Sequence, residues 1–472
     1  MEAIHISPYA GAWYPGEPAE LAALLDDRFA QSSRRTGAFP FTDALAFVTP
    51  HAGPAYSGTV AAAVYRALAH VEPERIVLLA FPHHGGLRGA AVPEVATIST
   101  PFGPVAIDTT LGGFARVAED RVCDHSFEIQ LPFLQRAAPQ ARVAPLYVGR
   151  MTPDERARAA DLLAAQWRPG TVILASSDFT HYGRGFGYTP FPPDDDVAGR
   201  LHDLDFECID AAGSLDSALF AKTLEHTGAT VCGSGPIALL LDTLARLGSA
   251  DVYQFTLDYQ ASGELTGDYG QSVSYAALGY CRRESLELPP ADCDALLSSA
   301  VETLGRLRQS GRREAVPAHG SPALEAHRGV FVSLHQGTEL LGCIGNCVGR
   351  EPLGAQVGSL ALSAALDDPR FRSAAKASGP IDVEISVLTP FKRITGPAQL
   401  QVGKHGAFLR LGTHSGLLLP QVADDYDWTA EQFLAAVARK SRLGTHAWKD
   451  PAARLYAFEA QVFSRPGLPA RS

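Results

Sequence analysis

Four short apolar runs, separated by helical patterns, constrain the first half of this chain more than any other feature. They are Ala44–Val48, Ile76–Ala80, Val143–Val148 and Thr171–Ala175. Continuous apolar strands that alternate with helices read as a parallel sheet covered on both faces. Pro145 removes a backbone donor from the third run, which predicts an edge position for it. Between the runs, Ala19–Phe29 and Thr59–Leu68 repeat apolar residues at helical spacing. Asp154–Gln166 does the same after Thr152-Pro153, a helix start. Pro236–Leu247 places Pro at a predicted first helical position.

Three of the four runs end in residues able to bind metal or move protons. They lead into Thr49-Pro50-His51, Pro82-His83-His84 and Ser176-Ser177-Asp178-Phe179-Thr180-His181. Sites in open parallel sheets form at the carboxyl ends of strands, so these segments converge if the strands are neighbours. Asp124–Glu128 opens a helical stretch with His125 at its head, and Thr230–Pro236 puts Cys232 just before a helix. A helix N-terminus favours thiolate and lowers a thiol pKa. Imidazoles plus one anion, with positions left open, make a reactive metal centre; two His and one Cys suit iron, copper or zinc. Each residue also has a plainer reading. A single His can be a packed core residue, and Cys232 a small buried hydrophobe. Asp178 can cap a turn, and His84 can be only a neighbour of His83.

The polar, proline-rich RRESLELPP stretch separates this half from a fresh amphipathic helix, Asp292–Arg308. It sets domains at 1–283 and 291–472, with 284–290 as linker. Strands at Gly329–Leu334, Ile381–Leu388 and Ala407–Leu411, with helices at Val357–Leu366 and Ala430–Lys440, read as α+β. Gly342 and Gly345, either side of Cys343, read as residues of a tight turn. Lys and Arg number 40 against 51 Asp and Glu, a net charge of −11 that argues against a nucleic-acid-coating surface. The seven cysteines include no CxxC pair, which disfavours a disulfide framework or zinc ribbon. With no secretory pattern at the N-terminus and no run long enough to span a bilayer, the expectation is a cytoplasmic protein away from membranes.

At these residues the chain resembles the Memo-like family. The matching pieces include Ala10–Pro15, Pro50–Gly53, His83-His84, His125–Glu128, Ser176–Tyr182, Cys232-Gly233 and Ser272–Tyr275, in the family's order. The resemblance implies a fold like that of class III extradiol ring-cleaving dioxygenases. It implies metal ligands at His51, His83 and Cys232, a general acid/base at His181, and His125 and Asp178 in the same pocket. Iron is the first expectation for the ion, with copper or zinc as alternatives. In the dioxygenases a carboxylate takes the place of the Cys. Pro54 stands where the Memo-like family usually has an aromatic residue.

The second half resembles the AMMECR domain family, through Leu340–Gly345, Asp367–Phe371, Asp382–Leu388 and Gly416–Val422. That resemblance makes Cys343 a further candidate site residue; Cys343 and Cys347 alone also read as packed thiols or, less well, a zinc pair. Leu341 stands where this family usually has Arg. Together the two resemblances describe a fusion of proteins B and A of the AmmeMemoRadiSam system, whose third member is a radical S-adenosylmethionine enzyme. They imply a metal-dependent, oxidoreductase-like enzyme acting on an unidentified small molecule or modified group. The alternatives are a non-catalytic metal- or peptide-binding scaffold with an AMMECR adaptor, and an RNA- or nucleotide-modification factor.

Overall fold

The structure, a computed structural model, describes residues 4–37, 39–192, 196–248, 251–349, 351–370, 379–424 and 427–468. Phe371 of the Asp367–Phe371 motif lies outside them. The chain divides into two compact units. The first comprises 1–36 and 41–285, the second 37–40 and 286–472.

In the first unit a nine-stranded mixed sheet carries the site. Its strands are β1 (Ala46–Thr49), β2 (Arg75–Ala80), β3 (Ala90–Pro93), β4 (Ala115–Val117), β5 (Arg142–Val148), β6 (Thr171–Ser176), β7 (His181–Gly183), β8 (Val252–Ala261) and β9 (Gln271–Arg282). The spatial order is β7-β9-β1-β6-β2-β5-β3-β4, with β8 paired to β9. The four runs predicted from sequence form the parallel centre, β1-β6-β2-β5. Their side chains are buried because helices cover both faces. Helices α1 (Pro18–Arg35), α2 (Gly58–Val71), α3 (His125–Glu128), α4 (Gln130–Ala137), α5 (Pro153–Gln166), α6 (Val197–Gly213), α7 (Ser217–Thr227) and α8 (Ser234–Arg246) follow in chain order. Tyr65 of α2 stacks on Phe133 of α4 on one side. On the other, Leu163 of α5 and Leu239 of α8 join the core around Val77 and Ile173.

Two local expectations fail. β5 is not an edge strand: β2 and β3 flank it. The ladder to β3 involves only Tyr147 and Val148, so Pro145 has an edge's freedom inside the sheet. Pro236 is the third residue of α8, not the first, and Gly233 is its N-cap. The first helical N–H groups have no intrahelical acceptor, so proline costs nothing there either. The long antiparallel pair β8–β9 went unread in the sequence, although Tyr253, Phe255, Leu257, Tyr259 and Ala261 alternate with polar residues along β8; in β9 burial along nearly the whole strand hides the alternation.

The second unit has two sheets. Strands β10 (Val330–Gln336), β11 (Glu339–Asn346), β12 (Ile381–Leu388), β13 (Lys392–Ile394), β14 (Gly406–Leu411), β15 (His414–Leu418), β16 (Arg454–Phe458) and β17 (Ala460–Leu468) are ordered β11-β10-β12-β17 and β13-β16-β14-β15. Helices α9 (Pro290–Ser310) and α10 (Leu353–Leu366) bury Leu296, Leu304, Val357 and Ala361 against the first sheet. Helix α11 (Ala430–Lys440) packs Phe433 and Val437 on the second. Gly342 and Gly345 lie within β11 and not in a turn. Close approach demands them: a Cβ on Gly342 would sit 2.1 Å from the Ala364 carbonyl oxygen of α10.

No helix among the described residues is long and apolar enough to cross a membrane.

Candidate metal centre

The order β1-β6-β2 makes three parallel strands neighbours, so their carboxyl ends open on one edge. His51 follows β1, His83 follows β2, and Asp178 follows β6. Cys232 arrives from the loop before α8. Gly233 permits that approach, since a Cβ there would lie 2.4 Å from the Ser176 carbonyl oxygen. As a result one ligand atom each from His51, His83 and Cys232 falls within 4.8 Å of the others. The His51 Nε2 to Cys232 Sγ distance is 3.1 Å.

Hydrogen bonds decide which nitrogen each imidazole presents. Ser176 Oγ donates to the Ser126 carbonyl at 2.5 Å and accepts from Gln130 Nε2 at 3.1 Å. With its proton committed, it accepts from His51 Nδ1 at 2.9 Å, which leaves Nε2 with a lone pair facing Cys232. His83 Nδ1 donates to Asp124 Oδ2 at 2.9 Å, and the His83 backbone N–H reaches the same oxygen at 2.7 Å. This is the carboxylate–histidine arrangement that orients metal ligands. Asp124 also caps α3, accepting from Ser126 N at 3.0 Å. Although burial opposes ionisation, the bonds from His83 and Ser126 hold the Asp124 carboxyl below the usual range.

His125, the first residue of α3, lies between two rings. Its centroid is 4.0 Å from that of His83 and 4.6 Å from that of Trp13, which stacks on it. Burial, then the neighbouring His51 and His83, pulls its pKa down to about 3. His51 is 1% exposed and falls to about 3 by burial, with His83 adding to the effect. Both rings are therefore neutral near pH 7, the form that ligates metal. His83, Asp124 and His125 form a second group with ligand atoms within 4.8 Å.

The thiol differs from the expectation. Burial, and next the Asp178 carboxylate, push the Cys232 pKa up despite the helix start. Desolvation of the half-buried Cys232 sulfur outweighs a partial helix charge. Cys232 Sγ accepts from Asp178 N at 3.2 Å. Asp178 Oδ1 accepts from the backbone N–H groups of His51 and Ala52, at 2.8 and 3.3 Å, and so anchors the His51 loop. Burial raises its pKa. His181 Nδ1 faces two carbonyl oxygens, of Phe179 and Thr230, each at 3.0 Å. Carbonyls only accept, so Nδ1 carries the hydrogen and Nε2 is left able to take a proton.

His84 is exposed and belongs to neither metal-capable group. Cys343 belongs to the second unit, where its N–H donates to Asp368 Oδ2 at 2.9 Å. Neither Cys343 nor Cys347 joins a metal-capable group of three among the described residues. The sequence reading missed the supports: Ser176, Gln130 and the orienting role of Asp124. It also missed Asp205, fully buried beneath Thr180, whose Oδ1 accepts from the Thr180 hydroxyl at 2.6 Å. The legible signal was polarity inside otherwise apolar strand and helix patterns.

Family comparison agrees with this division. The model of the Memo-like protein family matches residues 7–279, and that of AMMECR1 matches 297–463. A MEMO1 family protein of Desulfurococcus amylolyticus is 30% identical over 289 residues, covering 57% of this chain and 96% of that protein. One from Methanopyrus kandleri is 33% identical over 296 residues, covering 58% and 97%. Among solved structures, the uncharacterized protein PH0010 from Pyrococcus horikoshii is 34% identical, covers 37% of this chain and 93% of its own, and has a TM-score of 0.34. The chain belongs to the Memo-like family and carries an AMMECR1 domain in the same polypeptide.

Proposed function

We propose that the first unit is a metal-dependent, oxidoreductase-like enzyme, in which His51, His83 and Cys232 hold one metal ion. The observation that carries this reading is the meeting of those three ligand atoms within 4.8 Å, with the remote nitrogen of each imidazole already engaged. Preset tautomers spare the site reorganisation when an ion binds. The donor set of two imidazoles and a thiol suits iron first and copper next; zinc is the redox-silent alternative. When bound, such an ion supplies Lewis acidity and, for iron or copper, electron transfer.

The chain's own groups have separable tasks. His181 takes or returns a proton at Nε2, because its Nδ1 hydrogen is held by the two carbonyls. Asp178 fixes the His51 loop through its backbone bonds. His125, braced by Trp13, forms a planar wall beside His83. The substrate is a small molecule or modified group. The likeness to extradiol dioxygenases belongs to this proposal, as do a cytoplasmic location and a radical S-adenosylmethionine enzyme as functional partner. A sulfur donor in place of a carboxylate changes the ion's charge environment, and ring cleavage is not part of the proposal.

Metal analysis of anaerobically purified protein tests the reading. We expect one equivalent of metal per chain in the wild type and less than a tenth in His51→Ala or Cys232→Ser. A wild type that takes up no iron, copper or zinc under those conditions refutes it.

A further inference from the structure

The segment between α7 and α8 carries more than a metal ligand. α7 ends at Thr227, and Gly228 is its C-cap, with a left-handed φ of 68°. Residues 229–233 then lead to the N-cap of α8, Gly233. Among them Val231 is buried in the core of the first unit. The residues on either side of it face the site. Cys232 Sγ lies 3.1 Å from His51 Nε2, and Thr230 binds His181.

Thr230 meets His181 at three points. Its Oγ1 accepts from the His181 backbone N–H at 2.8 Å and donates to the His181 carbonyl oxygen at 3.1 Å. A hydroxyl can do both at once, having one donor and two acceptor sites. The Thr230 carbonyl oxygen also accepts from His181 Nδ1 at 3.0 Å. The other acceptor of that nitrogen, the Phe179 carbonyl, has separate supports. Phe179 N donates to Ser274 O at 2.8 Å, and Ser274 N to Thr180 O at 2.9 Å. Thr180 is held by Asp205, whose Oδ1 accepts from the Thr180 backbone N–H at 3.2 Å and from its hydroxyl at 2.6 Å. Tyr259 OH in turn donates to Asp205 Oδ2 at 2.7 Å. One acceptor of the His181 ring is thus tied into the sheet through β9, while the other depends on the half-buried Thr230.

The bond made by one ring nitrogen decides which nitrogen of a neutral imidazole keeps the hydrogen. The edge-on ring of Phe186, 5.3 Å from that of His181, does not choose between them. Without the Thr230 hydroxyl, the His181 backbone N–H loses its acceptor and the loop loses its two side-chain ties to His181. The Thr230 carbonyl is then no longer held against Nδ1. We propose that Thr230 is a positioning residue: its hydroxyl fixes the loop against the His181 backbone, and so holds the imidazole as the Nδ1–H tautomer with Nε2 able to take a proton. The inference rests on the reading of His181 as the proton carrier, and not on any metal ion.

The test is nitrogen-15 NMR of the full chain at pH 8, labelled at histidine, with His181→Gln to identify the His181 signals. The wild type should show the Nδ1–H tautomer, and so should Thr230→Ser, which keeps the hydroxyl. In Thr230→Val, nearly the same shape without the hydroxyl, the separation of the Nδ1 and Nε2 shifts should shrink by roughly half or more as the tautomers mix. Circular dichroism checks the fold, and Thr230→Ala takes the place of a Thr230→Val that does not fold. Wild-type shifts in a folded Thr230→Val or Thr230→Ala overturn the proposal. So does an Nε2–H tautomer in the wild type, or a mixture in a folded Thr230→Ser. Metal uptake by the wild type is measured separately, and its absence counts against the metal centre and not against the tautomer.

Discussion

Replacing Asp124 by Ala perturbs two functions of one carboxylate. It removes the cap from Ser126 N, at 3.0 Å, and the acceptor of the His83 backbone N–H, at 2.7 Å. A lost N-cap costs about 1 kcal/mol. A buried N–H left without an acceptor costs about 1–3 kcal/mol. The metal-free protein should therefore lose roughly 2–4 kcal/mol in urea unfolding. The same change frees the His83 ring, whose Nδ1 sits 2.9 Å from Asp124 Oδ2. Loss of such an orienting partner lowers metal affinity about 10–100-fold. Asp124→Asn separates the cap from the rest, since its amide oxygen still caps the helix at Ser126 N while its NH2 replaces the oxygen that faces His83. It should keep the cap's ~1 kcal/mol, still lose about 1–3 kcal/mol at the His83 N–H, and bind metal at least tenfold more weakly. Co2+ titration, followed through the thiolate-to-metal absorbance, reads affinity directly. If both variants bind Co2+ within twofold of wild type, His83 is not a ligand oriented by Asp124, and the reasoning is wrong.

Gly342→Ala forces a Cβ to 2.1 Å from the Ala364 carbonyl, and should cost about 2–3 kcal/mol or more, measured as a lower urea midpoint; an unchanged midpoint contradicts the close approach. In the metal-free chain, His51 has a folded pKa of about 3 against 6.5 unfolded, so the unfolded state binds the proton first. Its contribution to stability is full above pH ~6.5 and is lost as pH falls toward 3, by up to ~1.4 kcal/mol per unit. His51→Gln should flatten urea stability between pH 7 and 5, and an unaltered slope refutes the assignment. Burial pushes the Cys123 and Cys208 thiols up to about 12. Iodoacetamide at pH 8 should leave both unmodified in native protein and label both in urea, as read by peptide mass spectrometry.

Much of the parallel centre was legible because its strands are buried on both faces and read as unbroken apolar runs. The four runs around Phe47, Leu78, Leu146 and Ile173 became adjacent strands in the structure. Helix boundaries were legible where caps are local, as with Thr152, whose hydroxyl accepts from Glu155 N at the head of α5. Residues that depend on distant partners were not. Pro145 looked like an edge residue because nothing local says that β3 pairs only with the last two residues of β5. Gly342 looked like a turn residue because nothing local says that α10 packs against it.

The amino-acid sequence by itself determined the family, the strand ends that carry His51, His83 and Asp178, and the presence of Cys232 before a helix. These are matters of residue order and short-range periodicity. Tertiary structure alone decided that β1, β6 and β2 are neighbours, which brings those ends to one edge. It also decided the tautomers, through Ser176, Gln130 and Asp124, and it reversed the expected effect on the Cys232 thiol. The physical reason is common to all three. Hydrogen-bond partnership and desolvation depend on what lies within a few ångströms in space, and here those neighbours stand tens of residues away along the chain.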